Sequence, residues 1–195
     1  MSGVQITPVP FFFNSRIEFI IDRKMKIKIV PLGEVNKKIL EKIIEELKIT
    51  YRMIGEVTNI EKLPQSAFNA FRNQYRSDEL LNFLEKHYEG RVLGVTTEDL
   101  YTEGLNFVFG QAKMRGNVAV VSICRLTPTF FHQPEDEELF ELRTVKECIH
   151  EVAHMAFGLA HCRNKGCVMN FSNTVGEVDQ KTKFLCNMCK LQLGL

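Results

Sequence analysis

Apolar and polar positions recur along this chain with two distinct periods, and the switches between them mark out its elements. Residues 25–30 alternate with a period of two and predict a first strand. Ile39, Leu40, Ile43, Ile44 and Leu47 then fall at three- and four-residue intervals, predicting a helix capped by Asn36 that ends near Lys48. A second strand is expected over residues 51–57, and a second helix from a Ser77 cap to about Tyr88 buries Leu80, Leu81, Phe83 and Leu84. The short apolar run at residues 91–96 suits the middle of a sheet. Residues 106–114, from Asn106 to Met114, predict an edge strand, and Gly116 with Asn117 a hairpin turn into a last strand at residues 118–123. Pro134 and the acids that follow open a long helix reaching Phe157, with Leu142, Val145, Ile149, Val152, Ala153 and Ala156 as its inward stripe. Strands interleaved with helices and closed by one hairpin give an α/β fold with a mixed, twisted sheet.

Beyond residue 158 no strong strand pattern returns, which predicts a small irregular C-terminal part. The chain thus divides into an N-terminal extension (residues 1–24), an α/β part (25–157) and a C-terminal part (158–195). Its net charge of +1, with 25% charged and 45% apolar residues, makes no global electrostatic case for nucleic acid or membrane. The apolar run at residues 8–13 follows no basic segment and is broken by Pro8 and Pro10, so it reads as neither signal peptide nor membrane helix. A cytoplasmic monomer is expected.

One stretch carries chemistry: His150-Glu151-Val152-Ala153-His154. Histidines four apart on a helix share a face, so both imidazoles can reach one zinc ion, and Glu151 falls beside it as a general base. Catalytic zinc takes a third protein ligand and keeps one position open. His161 is the candidate. On a continued helix it would lie roughly 16 Å further along the axis, so the chain must turn back, and Gly158 supplies the turn. This is the H-E-x-x-H-x-x-G-x-x-H logic of the metzincins with one residue too many between His154 and Gly158. A π-bulge in the last helical turn is the expected way to absorb it.

Cys162 follows His161 directly, then come Cys167-Val168-Met169 and Cys186-Asn187-Met188-Cys189. Together with the histidine motif, with Arg72-x-Gln74-Tyr75 and with the segments at residues 99–101 and 104–110, these resemble the archaemetzincins over essentially everything from Met25 onward. The resemblance implies a zinc-dependent peptidase with two zinc ions per chain. A catalytic zinc would be bound by His150, His154 and His161 with Glu151 as base, and a structural zinc by Cys162, Cys167, Cys186 and Cys189. Met169 would be a Met-turn methionine under the site. A peptide or protein substrate would lie along the edge strand at residues 106–114 by strand addition.

The residues leave alternatives open. Four cysteines can form disulfides or a redox pair, although no export signal precedes them and no thioredoxin-like pattern surrounds Cys186 and Cys189. In a gluzincin-like arrangement Glu177 or Asp179 would replace His161 as third ligand. A zinc-stabilised peptide-binding or regulatory protein with little turnover would carry the same motif. Taken alone, Arg72 and Tyr75 read as surface or packing residues, Cys124 and Cys148 as buried small ones, and His87 and His132 as solvent-facing or locally bonded. Phe130 and Phe131 are expected to wall the cleft.

Overall fold

The computed structural model describes residues 25–195; the expected extension, residues 1–24, lies outside the described residues. In chain order the elements are β1 (Lys26–Leu32), α1 (Lys37–Tyr51), β2 (Ile54–Val57), β3 (Phe68–Asn69), β4 (Gln74–Arg76), α2 (Ser77–His87), β5 (Arg91–Thr96), β6 (Leu100–Tyr101), β7 (Gly110–Ala112), β8 (Val118–Ser122), α3 (Glu137–Phe157), α4 (Val175–Gln180) and α5 (Asn187–Leu193). The main sheet runs β2-β1-β5-β8-β7, parallel except for β7, and β3-β4-β6 form a smaller sheet. Alternation along the strands sends Ile27, Ile29, Leu93, Val95, Ala119 and Val121 into the cluster built with α1 and α3. Val30, Leu32, Val92, Val118 and Val120 join α2 on the other face. Parallel strands need both faces covered, and this mixed α/β fold covers them.

Several elements depart from the sequence reading for identifiable reasons. Helix α1 extends past Lys48 to Tyr51, whose hydroxyl donates to the carbonyl of Ile149 at 2.9 Å and whose ring packs on Phe157. Strand β2 is accordingly shorter. Asn36 does cap α1, its side chain accepting the Lys38 amide. Ser77 does not cap α2: Arg76 holds the cap position, and the Ser77 hydroxyl turns inward to Tyr101 O (3.0 Å) and Gln111 Oε1 (2.5 Å). The hairpin between β7 and β8 takes its left-handed residue at Arg115 (φ 52°), not at Gly116 or Asn117.

Residues 106–114 are not one strand. Only Gly110–Ala112 pair with β8, because Val108 bridges instead to Leu100 and the Asn106 carbonyl is held by Arg72 and Gln74. The rest of the predicted strand becomes a rim.

Helix α3 also differs. Leu142 is 40% exposed, and every residue from Arg143 to Met155 is buried, so the helix has no polar face along that length. The C-terminal segment covers the side that the apolar stripe leaves open. Three of its buried charges find partners there: Arg143 is bidentate to Asp179 (2.7 and 2.6 Å), Lys146 donates to Val178 O (2.9 Å), and Glu147 lies 2.8 Å from the ammonium of Lys181. Asp136 caps the helix through the Leu139 amide, with Glu137 and Glu138 in the first turn where the dipole favours them. Buried residues of the C-terminal segment, among them Cys167, Val168, Met169 and Val178, belong to the same core cluster as α3.

Candidate active site and metal centres

Helix α3 presents His150, Glu151 and His154 to a cleft of about 560 Å³ bounded on one side by β7 and on the other by Phe171 and Asn173. The Nδ1 of His150 lies 2.9 Å from Val168 O, and that of His154 lies 2.5 Å from Leu159 O. A carbonyl can only accept, so both rings carry the proton on Nδ1 and turn the Nε2 lone pair toward the cleft. Those two Nε2 atoms are 3.0 Å apart. His161 completes the group: one nitrogen from each of the three rings falls within 4.8 Å of the others.

His161 arrives by a route other than the expected π-bulge. Helix α3 stays α-helical through Phe157, and Gly158 then takes the left-handed conformation (φ 64°) with its amide shared between Ala153 O and His154 O. Leu159 N reaches back to Ala153 O (3.2 Å). The additional residue is thus absorbed in the C-cap, where the returning bonds reach one residue deeper into the helix. The positive φ favours glycine, and a Cβ at this position would also displace the exposed Arg115 side chain, whose Cγ it would meet at 2.1 Å. The Arg115 amide donates to His154 O at 3.1 Å, pinning the helix end to the β7–β8 hairpin.

Burial keeps the imidazoles neutral. It pushes His150 well below its ordinary value, helped by Lys181 and His154, lowers His154 to about 4, and lowers His161. Neutral imidazole is the ligating form. A group whose folded pKa lies below its unfolded value lets the unfolded chain take up protons first as pH falls, so stability drains from about pH 6.5 downward. Glu151, raised well above the usual carboxylate range by burial and by Glu147, acts in the opposite sense, but three imidazoles outnumber it. Protein stripped of the histidine ion alone, with the cysteine ion retained, is therefore expected to melt at progressively lower temperature between pH 6.5 and 4, and a flat melting temperature across that interval would contradict the assignment.

The four cysteines form a second group with all sulfurs within 4.8 Å of one another. Cys162 Sγ lies 3.7 Å from Cys186 Sγ, and Cys167 Sγ lies 3.7 Å from Cys189 Sγ. Disulfide sulfurs are about 2.05 Å apart, so these are thiols, at a spacing that suits one ion with sulfurs near 2.3 Å from it. Asn164 and Cys186 amides donate to the Cys162 and Cys167 sulfurs. The Cys189 amide draws the Cys186 thiol down to about 7. Both donor sets, three neutral imidazoles and four thiols, have the chemistry of zinc sites.

Other residues singled out from the sequence are placed elsewhere. Glu177 is the third residue of a capping box on α4, its carboxylate accepting the Asn173 and Thr174 amides, and Asp179 is engaged by Arg143. Neither joins the histidines, which removes the gluzincin-like arrangement. Phe130 lines a separate small cavity with Cys124 and Phe140, while Phe107, Phe109 and Phe171 are the aromatics of the cleft. Cys148 is buried as expected, whereas Cys124 is only partly so, and burial lifts its thiol to about 11. Met169 is fully buried; its carbonyl accepts the Cys162 amide, and it follows Val168, whose carbonyl holds His150. Arg72 does more than pack: it stacks on the Tyr101 ring at 4.3 Å and donates to Leu105 O and Asn106 O, fixing the cleft rim. Gln74, Asp99 and Arg125 continue that network.

The family model for peptidase family M54 matches residues 13–194. The chain belongs to this family. As an M54 peptidase it is 40% identical over 169 residues to the archaemetzincin of Methanocaldococcus jannaschii, covering 87% of this chain and 93% of that one. It is also 40% identical over 174 residues to the archaemetzincin of Pyrococcus furiosus, covering 85% and 90%. Among solved structures it is similar to the archaemetzincin of Archaeoglobus fulgidus in complex with malonate (TM-score 0.76, 38% identity, 86% of this chain and 99% of that one). The archaemetzincin of Methanopyrus kandleri gives a TM-score of 0.76 at 39% identity, over 87% and 94%. The M54 family consists of zinc metallopeptidases, so this member is a hydrolase. No helix among its described residues is long and apolar enough to cross a membrane.

Proposed function

We propose that the chain hydrolyses peptide bonds using one zinc held by His150, His154 and His161, while Cys162, Cys167, Cys186 and Cys189 hold a second, structural zinc. The observation that carries this reading is the pair of Nδ1–carbonyl bonds that leaves the imidazoles converging beside the buried Glu151 carboxylate. When bound, zinc supplies a Lewis acid that acidifies water toward neutral pH and polarises the scissile carbonyl. Glu151 takes the proton from the attacking water and returns it to the leaving amine. Burial makes it a stronger base than a solvated carboxylate, and a cation at the histidines favours its ionised form.

An extended peptide enters between β7 and the segment at Phe171, pairing with the edge of β7 that is unpaired among the described residues. Arg72 and Gln74 hold the rim it passes. Apolar side chains next to the scissile bond meet Phe107, Phe109 and Met114.

Zinc content per chain, measured on wild type beside His161→Ala, tests the ligand set. Two ions in the wild type and one in the variant are expected. Two in both would separate His161 from metal binding. One in both would leave only the cysteine group filled and turn the reading toward a peptide-binding protein.

A further inference from the structure

We infer that Gly110 is a positioning residue for the reaction: by lacking a side chain it sets where the Glu151 carboxylate stands. The inference rests on Glu151 as the general base. A Cβ at Gly110 would lie 2.6 Å from Glu151 Cγ, 2.9 Å from Glu151 Oε1 and 2.9 Å from Val120 O. Its φ is outside the left-handed region, so the backbone there suits any residue. What the position demands is space.

The strand side is held by its ladder, and the helix side holds the backbone of Glu151, so it is chiefly the carboxylate side chain on the cleft that can give. Gly110 pairs with Val121 in the β7–β8 ladder, and the preceding carbonyl, that of Phe109, accepts the Ser122 amide at 2.8 Å. Glu151 lies within the stretch of α3 that is buried on all sides, between His150 and the fully buried Val152. Strand backbone and helix therefore define the seat of the carboxylate between them. A methyl group on Gly110 would be met partly by a small adjustment against Val120 O and chiefly by moving Glu151, the nearer and side-chain neighbour, because carbon contacts below about 3.5 Å are repulsive and the required shift is on the order of 0.5–1 Å. A displacement of that size at a reacting group can lower turnover by about 10²-fold.

The experiment compares turnover of a fluorogenic peptide by the zinc-loaded full chain in five forms: wild type, Gly110→Ala, Glu151→Asp, the double variant of these two, and Glu151→Gln. Gly110→Ala is expected to retain two zincs, to lower kcat by about 10- to 100-fold and to leave KM within about twofold. Aspartate is one methylene shorter and withdraws from the added methyl. In the double variant the two losses should thus combine to less than their product. Losses that multiply without coupling, or a change in KM at unchanged kcat, would overturn the proposal. Should Gly110→Ala not fold, melting of the double variant decides: recovery with aspartate supports the contact with Glu151, and continued failure assigns the clash to Val120 O and overturns it. Wild-type kcat in Glu151→Gln would instead remove the base assignment, an outcome distinct from a missing coupling.

Discussion

Replacement of Glu151 by glutamine is expected to lower kcat on a peptide substrate by about 10³-fold, with both zinc ions retained. That loss corresponds to about 4 kcal/mol of barrier. The side chain is 6% exposed and seated against Gly110, so a substitution that alters its volume would disturb packing as well as chemistry. Glutamine preserves the shape and removes the basic oxygen. Neither Glu147 nor Lys181 can take over, because they occupy each other at 2.8 Å. Turnover and zinc content measured on the same preparation check the expectation: full zinc with wild-type turnover would take Glu151 out of the chemistry.

The second large effect concerns the four cysteines. Cys189→Ser, at a position only 4% exposed, is expected to lower the melting temperature by on the order of 10 °C or more and to cost the histidine zinc as well. The connection is short. Cys162 follows His161 directly, and the Cys162 amide donates to Met169 O at 2.8 Å. Cys167 precedes Val168, whose carbonyl orients His150, and the Val168 amide is bound to Phe184 O two residues before Cys186. Releasing the cysteines therefore frees the loop carrying one imidazole and the carbonyl orienting another. Structural zinc in small domains contributes about 10 kcal/mol or more of apparent folding energy, comparable with the whole stability of an ordinary domain. A Cys189→Ser protein that melts with the wild type and keeps the histidine zinc would show the two centres to be independent.

The histidine motif was legible in the sequence because helical spacing decides which imidazoles share a face, whereas the four-cysteine group came from the family resemblance, the spacing by itself leaving disulfides open. His161 was recoverable despite the extra residue, since its interval from Gly158 sets the return of the chain. How the insertion is absorbed was not legible: it depends on which carbonyls Gly158 and Leu159 reach and on an arginine brought from a distant hairpin. Polarity in one dimension does not report burial. Arg143, Lys146, Glu147 and Lys181 are charged, yet each is buried, because its covering comes from segments more than thirty residues away in the chain, which no local pattern reports. Ser77 is similar, a cap by local rules whose hydroxyl is claimed by β6 and β7. The edge strand was right in position and too long in extent, since competition from the second sheet for Val108 has no signature in an alternating pattern.

The brevity of β7 has a consequence for how the molecule behaves among its own copies. An unpaired strand edge is an invitation to aggregate, and proteins that must keep one open do so most safely by keeping it short. Three residues offer a passing chain only a few backbone hydrogen bonds, too few to nucleate a growing sheet. If substrate binds by strand addition as proposed, the same shortness weakens the backbone grip, and retention of cleaved fragments is expected to depend on the side chains they present.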